Sequence, residues 1–356
     1  MKGEPVFRVA VVGAGMAGAT CARQLADAGF AVHVVDKSRG VGGRMATRRA
    51  EWHDMTGTPQ PLSLDHGAPG FSAQGREFAE VAAQLSQEGL VARWTPRWGA
   101  GSYAPLEEAV LWVAQPDMPA VCRHWLAGVP LTTHCAIDAL HRGPDGWVLS
   151  SGAASFEGVF DAVILTMPGP QAARLLRPHE PQWAERAATL PMRPTWTLMG
   201  VTDELRSGEA FDLAWPASGE LECIVRNDAK PGRQATPGLA QWVAHASKSF
   251  SEAHVDASAP EVQSALQGAL ARWLGRPLAW HDAVVHRWRY AAVPRAPHAA
   301  QPTSQLCWWS ASLGLGVCGD ALGGAGVEGA WASGRALALQ VIQQHAHGQG
   351  RSAAQV

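Results

Sequence analysis

Two stretches near the start of this chain carry residues whose types and spacing suit phosphate chemistry. Gly13-Ala14-Gly15-Met16-Ala17-Gly18 is a G-x-G-x-x-G run. Gly13 serves a tight turn, Gly15 lets the backbone approach a pyrophosphate, and Gly18 allows a helix to pack closely on a strand. The unpaired N–H groups that begin at Met16 and Ala17, with the positive end of the helix dipole behind them, then face the phosphates. Asp36, followed by Lys37, stands where an acidic side chain meets the hydroxyls of an adenosine ribose. This much permits either FAD or a nicotinamide dinucleotide. The second stretch is Arg39-Gly40-Val41-Gly42-Gly43-Arg44-Met45-Ala46-Thr47. Its paired glycines let the chain pass close to a cofactor, and Arg44 can place a guanidinium on a phosphate.

These residues need a frame to hold them. Arg8–Val12 is a short β-branched run ending at Gly13, Met16–Ala28 has helical character and stops at Gly29, and Ala31–Val35 is a second β-branched run closed by Asp36. Strand, glycine turn, helix and strand in so short a span predict a βαβ unit with parallel, buried strands. Phe78, Val81, Ala82 and Leu85 predict an amphipathic helix ahead of Gly89, and the GPDG turn at 143–146 predicts an antiparallel pair. Residues 161–168 form another apolar strand. From about Pro191 the texture changes to scattered Trp and Pro with amphipathic stretches, including a helix that starts near Pro260 and ends before Gly275. A strand, a Gly-rich turn at 319–326 and a long helix near the far end can return the chain to the first sheet. The last dozen residues read as a loose tail.

Composition sets the outer limits. A chain of 356 residues that is 47% apolar and only 17% charged has the makings of folded domains rather than a disordered protein. A net charge of -2 excludes a general attraction to nucleic acid or anionic membrane, and Arg48-Arg49 is too small a basic patch to reverse that. Six cysteines (21, 122, 135, 223, 307 and 318) form no C-x-x-C pair and read as reduced thiols, with no metal site. No signal peptide or membrane span is expected, so the expected location is cytoplasmic. G-x-S-x-G, Walker A and H-E-x-x-H motifs are absent, and His345 and His347 read as solvated.

The second stretch resembles the second flavin motif of the amine oxidase superfamily. Within that superfamily GRMATRR (43–49), LDHGAPGF (64–71), LWVAQPDM (111–118), RPTW (193–196), HRWRYA (286–291) and GVEGAWASGRALA (326–338) resemble bacterial renalase-family proteins. The resemblance implies an α/β fold: a Rossmann-type FAD/NAD(P)-binding domain of the glutathione-reductase kind with an inserted α+β substrate domain. The expected FAD-binding domain is discontinuous, 1–75, 119–190 and 284–345, with a substrate domain at 76–118 and 191–283 and a tail at 346–356. The implied cofactor is non-covalent FAD. Beyond Gly13, Gly15, Met16, Ala17, Gly18, Asp36, Lys37, Arg39, Gly43 and Arg44, the resemblance makes His66 and Gly67 flavin contacts, Ile137 a backbone contact for adenine, Gly319 and Asp320 ribitol ligands, and Val327 a backbone contact at the start of the last helix.

The implied reaction takes a hydride from a small reduced donor, such as a dihydro-NAD(P) isomer reduced at the wrong ring position, and passes the electrons to O2 to give H2O2. One departure concerns the substrate: the family continues its D-x-G-A loop with Gln-Tyr, where this chain has Pro69-Gly70. Two alternatives stand beside the hydride-donor reading, oxidation of a small amine and a flavin-binding protein without turnover. An amine oxidase would commonly use a flavin-side lysine. Lys2 and Lys37 fall in the nucleotide-binding region, and nothing around Lys230 or Lys248 marks either as a site residue. Trp196, His286, Trp288 and Tyr290 are the candidate pocket walls, suited to stacking on a planar ring. No essential acid or base is assigned, because hydride transfer needs orientation and dryness more than a strong base.

Overall fold

β-Branched runs that are apolar on both faces can only form buried strands, and the first of them sits in the middle of a sheet. In the computed structural model, which describes residues 6–53, 57–100, 102, 110–152, 154–204, 211–292, 305–324 and 326–353, Arg8–Val12 pairs in parallel with Ala31–Val35 on one side and Ala162–Leu165 on the other. Leu315–Val317 extends the sheet in parallel beyond Ala162–Leu165, and Leu131–Thr132 does so beyond Ala31–Val35; only the edge strand Trp308–Ser310 runs antiparallel. The helix Met16–Asp27 makes the crossover between the first two strands, completing the expected βαβ unit. The GPDG turn joins Ala139–Gly143 and Gly146–Ser151, as the sequence predicts. Trp147, Leu149, Ile164, Leu165 and Trp308 fill the interior of this unit.

By contact the chain falls into two units, Met1–Gly43 with Val121–Pro191 and Pro294–Val356, and Arg44–Ala120 with Met192–Val293. Residues 44–75 and 284–293, expected with the nucleotide-binding domain, therefore belong with the second unit. For 284–293 the reason is strand pairing: Trp280–Ala292 is one 13-residue strand laid along Met192–Asp203, and a ladder of that length is not divided between domains. The second unit is built on a five-stranded antiparallel sheet in the order Leu213–Ala214, Leu221–Arg226, Leu239–Ala246, Met192–Asp203, Trp280–Ala292. Period-2 alternation gives this sheet two unlike faces. Trp196, Leu198, Ile224, Trp242, Ala244 and Val285 point to one side and form a core with Phe250, Val262, Leu266 and Leu270 of the helices Lys248–Ala253 and Ala259–Trp273.

The last helix runs from Gly326 to Ala353. It passes residue 345, where the sequence suggests a loose tail, so 346–353 are helical. Gly348 and Gly350 give this stretch little helix propensity of its own, so it continues the helix from the turns before it.

Candidate functional site

In the first unit the candidate site is built largely of backbone. Gly13, at φ +118°, turns the chain out of the sheet, and its N–H donates to the Val35 carbonyl (2.8 Å). A Cβ at Gly18 would lie 2.0 Å from the Gly13 oxygen, so glycine is required there for packing. Gly15 differs. A Cβ on it would meet no protein atom closer than 3.7 Å, so the protein itself leaves this spot open. Gly15 is the N-cap of the Met16–Asp27 helix and offers no capping side chain, which leaves the first N–H groups of that helix without a side-chain acceptor. The Arg39–Gly43 loop closes over the turn: Gly42 pairs with Gly15 as an isolated parallel bridge, and its N–H donates to the Ala14 carbonyl (2.9 Å).

Asp36 is buried at the end of the second strand. Its carboxylate accepts the Ala14 N–H and the Ser38 N–H, each at 2.7 Å, one on each oxygen, and each oxygen keeps acceptor capacity for a sugar hydroxyl. The chain leading to Ile137 runs alongside, with the Cys135 N–H donating to the Asp36 carbonyl and the His134 N–H to the Ser38 carbonyl, both at 3.0 Å. Ile137 is half-buried against the core, while Lys37 and Arg39 are exposed. At the other end of the unit, Asp320 is buried at the start of the short Asp320–Gly323 helix, and Val327 is buried in the first turn of the last helix. Gly319 donates its N–H to the Ser333 hydroxyl (2.9 Å). A Cβ at Gly334 would come 2.2 Å from the Ala17 carbonyl, so the last helix crosses the first turn of the first helix at backbone contact. The predicted residues 13–18, 36 and 319–327 are thus brought into one unit. An open glycine turn, an acidic strand end and free helix N–H groups fit the diphosphate and ribose of a dinucleotide.

Cys318 ends a buried strand, with its N–H on the Leu165 carbonyl (3.0 Å). Hydrogen bonding to Cys21 and burial push its thiol up, which leaves it a poor nucleophile. All six cysteines are free thiols, five of them buried.

The second unit holds a site of the opposite kind, made of side chains from distant segments. Asp65 is fully buried. Its Oδ2 accepts from Lys230 Nζ (3.1 Å) and from Arg233 Nε and Nη2 (2.9 and 2.7 Å), and its Oδ1 accepts from the Thr47 hydroxyl (2.6 Å). Burial pushes the Asp65 carboxyl up, but the charges of Lys230 and Arg233, with the Thr47 and Arg233 hydrogen bonds, outweigh it and hold the group at about 2. Burial pushes Lys230 down against the pull of Asp65, and the neighbouring Arg233 adds to the push. Lys230 is therefore a member of a buried ion cluster centred on Asp65, although nothing in the residues around it singles it out. The cluster fixes the loop that follows: the Ala68 N–H donates to the Arg44 carbonyl (2.9 Å), and a Cβ at Gly67 would lie 2.1 Å from that same oxygen. Arg44 itself is half-buried, with Nη1 3.8 Å from the Met192 sulfur. At Gly70 a Cβ would come 3.2 Å from the Trp112 carbonyl, so a side chain here needs the Leu111–Ala114 strand to give.

On the sheet face away from the helices, Cys223, His245, Thr197 and His286 lie directly opposite one another across four strands and form a single row. Thr197 Oγ1 lies 3.1 Å from His245 Nδ1, and His245 Nε2 has no hydrogen-bond partner. Burial, then the charge of Lys230, pushes His245 down to about 3. The His286 ring meets His66 edge-on at 4.9 Å and Trp288 at 4.5 Å, while His66 stacks on Trp288 at 5.0 Å. Trp288 Nε1 donates to the His66 carbonyl (3.1 Å), and His66 Nδ1 is buried without a partner. Burial and then His286 push His66 down to about 4, and burial and then Arg48 push His286 down. All three histidines are neutral at pH 7.

Of the four predicted wall residues, the structure brings His286 and Trp288 together with His66. Tyr290 has the same strand parity but stands beside the register shift between Arg193 and Thr195. Trp196 points to the other face, buried in the helix-side core with Nε1 on the His254 carbonyl (2.9 Å), and is a packing residue. His245, Asp65, Arg233 and Arg48 were missed. The Asp-His-Gly sequence at 65–67 and the Lys-Pro-Gly-Arg sequence at 230–233 were the available signals.

Residues 11–85 match the family model of the NAD(P)-binding Rossmann-like domain, and residues 107–342 match that of the flavin containing amine oxidoreductases. A curated relative is the tRNA 5-methylaminomethyl-2-thiouridine biosynthesis bifunctional protein MnmC of Magnetococcus marinus, 28% identical over 210 residues, a match covering 46% of this chain and 30% of that protein. The chain thus spans only 30% of that relative's length. Among solved structures, a putative protoporphyrinogen oxidase from Exiguobacterium sp. 255-15 is similar with a TM-score of 0.71 at 12% identity, over 96% of this chain and 100% of that one. Cyclohexylamine oxidase from Brevibacterium oxydans gives 0.63 at 12% identity, over 96% of this chain and 99% of that one.

Proposed function

The chain belongs to the flavin-containing amine oxidoreductase family and is an FAD-dependent oxidoreductase; from that premise we propose that it is a renalase-like enzyme whose electron donor is a small dihydronicotinamide rather than an amine. FAD, when bound, would supply the two-electron acceptor between donor and O2, for a net change of dihydro-NAD(P) plus a proton plus O2 to NAD(P)+ plus H2O2. In this reading Gly15 and the first N–H groups of the Met16–Asp27 helix hold the diphosphate, Asp36 accepts the ribose hydroxyls, and Asp320 with the start of the last helix holds the ribitol and the pyrimidine edge. Cys318, buried at a strand end, favours non-covalent binding. On the second unit, the Asp65 cluster holds the His66 loop in one place, and His66, His286 and Trp288, two stacked rings with a third edge-on to both, offer an uncharged aromatic cluster against which a planar ring can pack.

The observation that carries the choice of donor is the charge around that surface. Arg48, Lys230 and Arg193 bear on the three histidines, and all three charges disfavour protonation there. Burial is the larger reason these imidazoles stay neutral, and the nearby cations add to it; both effects also disfavour an alkylammonium at this surface. The test is anaerobic stopped-flow mixing of the FAD-loaded protein. Rapid loss of flavin absorbance with dihydro-NAD(P) isomers and none with a primary amine such as cyclohexylamine is the expected result; the reverse pattern overturns the reading.

A further inference from the structure

The arginines in the second unit are mostly matched to acids: Arg49 to Asp117 (2.9 Å), Arg97 to Asp212 (2.7 Å), Arg193 to Glu222 (2.5 Å), Arg226 to Asp228 (3.0 Å) and Arg233 to Asp65 (2.7 Å). Arg48 is not, and unlike Arg93 and Arg289, which are exposed, it is drawn partly into the protein. It is half-buried, has no ion pair among the described residues, and its Nε is buried with no hydrogen-bond partner. Its place in the hairpin is defined: it stands opposite Leu64, two residues before His66, on a strand that packs against the strand carrying His286 and Trp288. Its charge is felt at both His66 and His286. A guanidinium that is partly desolvated, without an acidic partner among the described residues and beside this aromatic cluster suits an anionic group of a ligand.

We propose that Arg48 is a specificity-determining residue that binds an oxyanion of the electron donor, a carboxylate or a phosphate, while the His66, His286 and Trp288 rings take the donor's planar part. This inference rests on the hydride-donor reading above. The fork of the guanidinium suits two oxygens of one anionic group, and lysine at this position keeps the charge but loses that fit. Among the described residues Asp65 is the acid that bears on His66, and its charge is already taken by Lys230 and Arg233, so the local charge remains positive.

The test uses the FAD-loaded full chain and three donors sharing one dihydronicotinamide ring: 1-benzyl (neutral), 1-(4-carboxybenzyl) (carboxylate) and the ribosyl 5′-phosphate. The wild type is expected to favour at least one anionic donor over the neutral one in KM by on the order of tenfold to a hundredfold, as for a charge-assisted pair. R48Q should collapse that preference and R48K should reduce it; the donor whose advantage disappears identifies the oxyanion. Flavin content and near-UV circular dichroism report whether R48Q is folded, and R48K carries the test if it is not. If no donor bleaches the flavin, the hydride-donor reading fails, and Arg48 is then judged by titrating the bound flavin's absorbance with oxidised nicotinamide mononucleotide and 1-benzylnicotinamide. A wild type without an anion preference, or variants that keep it, overturns the proposal.

Discussion

The two units present their candidate chemistry by opposite means. In the first, recognition is assembled from main chain: a glycine turn, the start of a helix and one carboxylate pinned by backbone N–H groups. In the second it is assembled from side chains, with Asp65, Lys230, Arg233, His245 and His286 converging from segments far apart in sequence. A main-chain site tolerates almost any side chain that points away from it but no added bulk at its open glycine. A side-chain site tolerates changes in backbone composition but no loss of a charge partner. The two should therefore fail differently.

The largest effect is expected from Asp65→Asn, which leaves Lys230 and Arg233 buried without their counter-ion and should cost about 3–5 kcal/mol of stability. Urea unfolding followed by tryptophan fluorescence measures it, and a loss below about 1 kcal/mol would mean that the cluster is solvated and the contrast between the units is false. Next is Gly15→Ala. Because the protein leaves room for that methyl group, the FAD-free form should keep its stability within about 0.5 kcal/mol, while FAD affinity falls by on the order of a hundredfold through lost close approach to the diphosphate. Equal losses of stability and affinity would show Gly15 to be a packing glycine like Gly18. The smallest effect concerns acid. His66 is held at about 4, below its ordinary value, so the unfolded chain binds the extra proton first and stability falls as pH drops below about 6.5 toward 4. From about pH 7 to about pH 5 this single group should remove about 2 kcal/mol. His66→Gln should flatten that part of the curve relative to wild type. Asp65, held at about 2, acts lower: its contribution is complete above the ordinary carboxylate range and is lost only as pH falls through about 2.

The same contrast explains what could be read from the sequence. Glycines 13, 15 and 18 act within one turn, and Asp36 is fixed by the strand that follows, so spacing alone reveals them. Lys230 meets Asp65 across 165 residues of chain. No local pattern announces that meeting, and a lysine near Pro and Gly reads as surface until the fold closes over it. Trp196 and Trp288 show a second limit. Both lie on strands with mixed aromatic and polar residues, but which face each takes depends on the register between Met192–Asp203 and Trp280–Ala292, which no single strand encodes. The domain boundary near residue 293 is hidden for the same reason, because a long ladder with a partner some 90 residues away decides where the second unit ends.

The crossing of Gly334 on Ala17 also bears on the order in which the molecule is made. As the chain leaves the ribosome, all strands of the five-stranded sheet are available by residue 292, whereas the first sheet lacks Leu315–Val317 and the helix that covers Ala17 until synthesis is nearly over. The inserted unit can therefore mature while the nucleotide-binding unit is still waiting for its closing piece, and nascent chains arrested with residue 292 clear of the ribosome but residue 315 still enclosed should resist protease in the former and be cut in the latter.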